Sequence, residues 1–197
     1  MSSLVDMVNN SLDIVGESPI TALDDGTTKS DICNRQATSV LRTMLYGAQW
    51  NFAYTRVSLA ADVAAPVSGF ALQYTLPPDC LRVWGIGDDP RLNGAPSGDL
   101  DWKVEQGKLL TNAQSPLTVH YGGYVTDPNK WGGGFENAFI KFLASRLTGA
   151  IVHDYGKMAE LMKEYYSVDL PDALAADSQE QSIDVFYVPD LLEVRTN

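Results

Sequence analysis

Two histidines, two cysteines and a scatter of neighbouring carboxylates are the groups through which this sequence could do chemistry. A nucleophile needs a base beside it, and the bases on offer are His120 and His153. His120 alternates with Val119 and Tyr121 in a strand-like stretch and is expected to face solvent or a subunit contact. His153 falls at a helix end, where the negative pole of the helix dipole accounts for an imidazole. Cys33 lies in a helical pattern and Cys80 follows a Pro77-Pro78-Asp79 turn. Neither pair has metal-ligand spacing, so two reduced thiols are expected. Asp24-Asp25 and Asp88-Asp89 lack the alternating oxygen ligands of a calcium loop and read as solvated turns. Asp99 and Asp101 beside Glu105 would make a hydrolase only if a deep pocket held two carboxyl groups roughly 5–9 Å apart. Gly122-Gly123 precedes no helix, and Gly132-Gly133-Gly134 lacks a Gly-Lys-Ser/Thr ending, so a hinge is expected there rather than a phosphate cradle. Trp84, Trp102 and Trp131 fall in or near a strand-rich region, where core and interface packing is expected in preference to a sugar or nucleotide platform. No catalytic residue, metal site or cofactor is assigned.

The whole chain bounds what these groups can serve. At 197 residues and 45% hydrophobic, it suits one compact domain, or one with a small inserted lobe. No apolar run reaches the roughly 18 residues that span a bilayer. The opening, Met1-Ser2-Ser3-Leu4-Val5-Asp6, has neither a basic region nor an apolar stretch after it, so no secretory signal is expected. The formal net charge is −11 and the pI about 4.4. Nucleic-acid affinity comes largely from Lys and Arg on phosphates, so tight DNA binding is not expected. A wall past which DNA slides without sticking is compatible with that charge.

The elements that must carry these residues follow from periodicity. Leu4, Val5, Val8, Leu12 and Val15 share a helical face, capped by Ser2 or Ser3 and ended by Gly16 and Pro19. A second helix is expected over 30–49, capped by Ser30 or Asp31, with Cys33, Ala37, Val40, Leu41, Met44, Leu45 and Ala48 inward. From Trp50 the period changes to short alternating stretches around Val57, 70–76, 81–86, 102–105 and 117–121, separated by turn clusters; this predicts an antiparallel β region with a tight hairpin at Gly107. Helical period returns with Phe135, Phe139, Phe142, Leu143, Leu147 and Ile151, breaks at 154–156, and resumes with Met158, Leu161, Met162, Tyr165 and Tyr166. Pro171 predicts either a kink or a fifth short helix from about Asp172.

The fold class expected is therefore α+β: a helical bundle of four to five helices, an antiparallel β lobe inserted between helices two and three, and an extended C-terminal arm. The parts are 1–55 and 127–182 for the bundle, 56–126 for the lobe and 183–197 for the arm. The arm carries Phe186, Tyr187, Val188, Leu191, Leu192, Val194 and Arg195. A segment this apolar should dock on its own domain or on a neighbour.

Several stretches resemble one family. Asn10 to Asp24, with its Val15-Gly16-Glu17-Ser18-Pro19-Ile20 turn, resembles the opening of the tail tubular protein A family, the head-to-tail adaptors of short-tailed phages and related prophages. Trp50-Asn51-Phe52-Ala53 is similar to that family's element after helix two. Tyr74-Thr75-Leu76-Pro77-Pro78-Asp79-Cys80-Leu81-Arg82-Val83 resembles its Leu-Pro-x-Asp-Cys-Leu-Arg-Val strand start. The stretch from Tyr121 to Asp127, Phe135 and Leu143-Ala144-Ser145-Arg146-Leu147 fit the same order, so the resemblance covers about residues 4–180. Pro171 departs from the pattern.

The resemblance implies a virion structural protein made in the host cytoplasm. It implies a homo-oligomeric ring of twelve copies seated between the portal protein and the tail nozzle or tail tube protein. DNA would pass through its lumen without specific binding, and no membrane is involved. The implied family-motif core is Trp50, Phe52, Pro77, Asp79 and Cys80, and the implied portal or neighbour contact is the arm. The alternative is a ligand-binding or interaction module using Trp84 and Trp102 of the β lobe.

Overall fold

A computed structural model describes residues 3–87 and 101–180. It has the α+β architecture expected, with helices from both halves of the sequence and two three-stranded antiparallel sheets between them. Helix α1 (Leu4–Val15) starts with a capping box: the Ser3 hydroxyl accepts from the Asp6 N–H while the Asp6 carboxylate accepts from the Ser3 N–H. Gly16 closes it at φ +82°, a left-handed conformation in which a side chain is strained. The turn beyond is clasped by Asn9, whose amide accepts from the Ile20 N–H at 2.9 Å and donates to the Ile20 carbonyl at 3.1 Å.

Helix α2 (Thr28–Gly47) begins and ends two residues earlier than its sequence pattern suggests. Its cap is Thr27, not Ser30 or Asp31. The Asp25 carboxylate fixes the Thr27 N–H at 3.0 Å and its hydroxyl at 2.7 Å, and Ser30 turns inward to donate to the Thr27 carbonyl. The hydroxyls of Ser30 and Thr27 hold the Asp25 carboxyl well below its usual range. At the other end Ala48 is already extended, which swings Trp50 back over the helix.

A 3-10 turn (Asn51–Ala53) leads into the lobe. Strand β1 (Tyr54–Leu59) pairs with β6 (Leu117–Gly123), which pairs on its other side with β3 (Cys80–Ile86). The second sheet is β2 (Leu72–Thr75), β5 (Lys108–Thr111) and β4 (Trp102–Glu105), with β5 central. The expected hairpin is present: Gln106 and Gly107, at φ 49° and 75°, turn β4 into β5. The two sheets share an apolar core of Tyr74, Val83, Ile86, Leu109, Leu117 and Val119.

Helix α3 (Gly133–Leu147) is central to the bundle and packs on α1, α2, α4 (Tyr155–Glu164) and α5 (Leu170–Ser178). One core therefore draws on both sequence ends: Met7, Val8 and Leu12 meet Val40, Leu41, Phe135, Phe139, Phe142 and Leu143. His153 takes a left-handed conformation at φ 59° and Asp154 caps α4, which is the expected break. Of the two outcomes expected at Pro171, the fifth short helix is the one present. A π turn (Tyr165–Asp169) widens the helix just before it, and α5 starts with the proline in its first turn, where no backbone donor is needed. Trp131, expected near the β region, lies in the bundle core against Phe135 and Phe139.

The π turn leaves one strained group. Asp169 Oδ2 is buried with no hydrogen-bond partner among the described residues. Burial, reinforced by Glu164 and Asp172 and opposed by Lys141, raises the Asp169 pKa. A carboxyl whose pKa is raised by folding destabilises the fold above that pKa and stops doing so once pH falls below the unfolded value near 3.9. Asp169→Asn removes the charge that burial penalises and should therefore stabilise the protein at pH 7. The gain should vanish toward pH 3. Equal shifts in thermal midpoint at pH 7 and pH 3 would refute this.

Candidate functional site

The motif residues form two groups: Trp50 and Phe52 in the bundle core, and Pro77, Asp79 and Cys80 at the start of β3 in the lobe. Trp50 is 2% exposed; its indole N–H donates to the Met44 carbonyl at 2.9 Å, and its ring stands edge-on to Phe135 at 4.8 Å. Phe52 meets the same Phe135 at 4.9 Å, so the chain leaving α2 grips the first turn of α3. The neighbouring Asn51 N–H donates to the Asp177 carboxylate, and its amide donates to the Asp177 carbonyl, tying α5 to the chain leaving α2. Burial raises the Asp177 pKa, and the Asn51 N–H opposes the rise.

On the lobe side the Pro77 carbonyl accepts from the Cys80 N–H at 3.0 Å and closes the turn. The Asp79 carboxylate accepts from the Tyr121 hydroxyl, and the Asp79 carbonyl from the Tyr124 N–H at 2.8 Å. Burial, with Asp79 beside it, pushes the Cys80 thiol up to about 11. Burial also raises Cys33. A thiol must be ionised to act as a nucleophile or metal ligand, so both are held away from that chemistry.

His120 is a correction. It faces neither solvent nor a neighbour: it is 1% exposed, with Tyr54 Oη 2.7 Å from Nδ1 and the Gly87 carbonyl 2.6 Å from Nε2. A carbonyl can only accept, so Nε2 carries the proton and Nδ1 accepts from the Tyr54 hydroxyl. This imidazole is a satisfied core group that locks β6 to β1 and to the end of β3. The glycine run is the second correction. Gly134 is no hinge: a Cβ there would stand 3.2 Å from Ala173 Cα and 3.3 Å from Ala176 Cβ, so its missing side chain is what lets α5 close on α3.

The acid groups remain apart from any such framework. Glu105 pairs with Lys103 at 2.6 Å on the exposed face of β4, Asp101 is exposed, and Asp99 lies outside the described residues, as do Asp88 and Asp89. Among the described residues no group of three or more His, Cys, Asp or Glu could hold a metal ion. Among them too, no helix is long and apolar enough to cross a membrane.

The lobe does carry a concavity that the sequence patterns missed. A cleft of about 570 Å³ opens between the Leu76-Pro77-Pro78 turn, residues 80–83 of β3 and Trp102 and Val104 of β4, with Tyr46 of α2 at its edge. The Arg82 guanidinium lies 4.5 Å from the Trp84 ring and 5.6 Å from the Tyr46 ring. Trp84 itself turns toward α2, over Gly122, where a Cβ would meet its Nε1 at 2.9 Å. The two lobe tryptophans are thus not one platform: Trp102 lines the cleft and Trp84 braces Arg82. Tyr46, 55% exposed among small and polar neighbours of α2, was the available sequence signal for this site. The arm residues Phe186, Tyr187, Val188, Leu191, Leu192, Val194 and Arg195 lie outside the described residues.

No protein-family model matches the chain, and no curated protein matches it.

Proposed function

We propose that this protein is a structural subunit of a phage head-to-tail adaptor, a ring of twelve copies between portal and tail nozzle that frames the DNA exit channel. The observation that carries the reading is the use to which the family-like motifs are put. The Val15–Ile20 turn, Trp50-Phe52 and Asp79-Cys80 all serve as joints: they clasp the end of α1, grip α3 and fasten the start of β3 to the end of β6. The net charge of −11 suits a lumen that repels the phosphate backbone. A ring needs one face of each subunit to meet a different face of the next.

In this reading the helices α2 and α3 build the ring wall, the β lobe faces the tail, and the arm reaches the portal or a neighbouring subunit. Electron microscopy of the protein mixed with its portal should show a ring stacked under the portal. A chain ending at Gln181 should stay folded and lose that attachment. Protein that never joins portal rings would overturn the adaptor reading; truncated protein that joins them normally would overturn the role of the arm. The cleft favours a second reading, an interaction module built on the lobe, which would leave the protein monomeric in a mass measurement with portal present.

A further inference from the structure

Helix α1 carries a pair of carboxylates on its outer face, and α2 carries a pair of guanidinium groups with the same spacing. Asp6 and Asp13 are seven residues apart, as are Arg35 and Arg42, and all four are exposed. Seven residues make nearly two full turns, so each pair shares one face and stands about 10.5 Å apart along its helix. Between the charges the exposed side chains are short and polar: Asn10 on α1, Thr38 and Ser39 on α2. Short residues there let two such faces approach.

Within one chain these charges go unanswered. Among the described residues no ion pair or side-chain hydrogen bond engages Asp13, Arg35 or Arg42, whereas Glu17, Asp62, Glu105 and Glu164 each have a lysine. At Asp6 the helix cap uses Oδ2 and leaves Oδ1 to accept. Helices α1 and α2 both pack on α3 and scarcely on each other, so the two faces look out from different flanks of the bundle. A subunit with complementary faces on different flanks can join copies head to tail. Copies of a chain with net charge −11 repel one another, so a contact between them must set cations against carboxylates. Asp31, exposed one turn before Arg35, fixes the direction. With the two helices parallel it falls opposite the start of α1, where the dipole is positive. With them antiparallel it would meet the Glu17 end.

We propose that α1 of one copy lies along α2 of the next, with Asp6 on Arg35 and Asp13 on Arg42, and that this contact repeats around the ring. The inference rests on the ring reading above, whose subunits it joins. Exposed charge pairs add specificity and association rate more than affinity, so rings held this way loosen as salt rises.

The test is the fraction of portals that carry a ring in electron micrographs as the full chain is titrated in at low salt. Arg42→Glu and Asp13→Arg should each raise the half-saturating concentration at least about tenfold, because each sets like charges face to face. The two together in one chain should restore it to within about threefold of the unaltered protein. Both positions are exposed, so thermal midpoints should hardly move, which separates assembly from folding. Rings that neither single variant weakens overturn this contact and leave the ring reading standing. So does a loss in Arg42→Glu that Asp13→Arg fails to restore, which assigns the arginines to the portal or to DNA. Unaltered protein that joins no portal at any concentration overturns the ring reading itself, and the contact with it.

Discussion

Trp50→Ala lowers the thermal midpoint by roughly 10 °C. The indole is fully enclosed, and large-to-small changes at such sites cost about 3–5 kcal/mol. In a chain of this length each kcal/mol is about 2–4 °C. The cost has three sources. A large apolar surface returns to water, the edge-on contact with Phe135 is lost, and the Met44 carbonyl loses its donor. Trp50→Phe separates them. It keeps most of the ring contact and forfeits the hydrogen bond, so it should cost about 1–2 kcal/mol. Calorimetry on both variants checks the order. A Trp50→Ala protein that melts within a degree or two of the parent would show that this indole does not hold α2 to α3.

Gly134→Leu is the second large effect, and it acts through space that does not exist. The Cβ alone would sit 3.2 Å from Ala173 Cα, which is backbone and cannot swing aside. Forcing a longer side chain in should cost about 3 kcal/mol, the upper part of the usual range for overpacking. The loss should be local in its first signs: α5 moves off α3, and the Asn51–Asp177 bonds that depend on its position open. Exchange in residues 170–178 should accelerate before the rest of the bundle responds. Gly132→Ala provides the contrast, since a Cβ there meets nothing within 4 Å. If the two variants melt alike, Gly134 is not a contact residue. A hinge glycine would predict changed motion at either position.

These two cases also mark what the sequence could and could not convey. Local signals were legible. Ser3 and Gly16 bound α1 as expected, and the positive φ angles of Gln106 and Gly107 make the hairpin that Gly107 announced. Features set by partners distant in the chain were not. His120 alternates like a surface residue, and only Tyr54 and Gly87, brought in by strand pairing, make it a core one. Gly134 reads as a linker until Ala173 is placed against it. Pro171 announces the short fifth helix, but the π turn that precedes it follows from no local pattern. The division of six strands into two sheets rests on pairings such as Leu72 with Thr111, which no local pattern encodes. The candidate site divides in the same way. Trp50, Phe52, Pro77, Asp79 and Cys80 stand out as motifs, whereas the cleft is assembled from three elements and belongs to none of them.

The pairing of β1 with β6 reaches further than the lobe. The chain enters the lobe at Tyr54 and leaves it at Gly123, and Tyr54 is opposite Gly122 in the ladder. Opposed residues of antiparallel strands lie about 5 Å apart. The way in and the way out of some seventy residues are therefore a single doorway, one that a two-residue turn could close. The helices need the lobe's side chains along the seam but not its length. The lobe is in that sense a detachable fitting, joined to the bundle through one pair of neighbouring strands while the bundle keeps its own core.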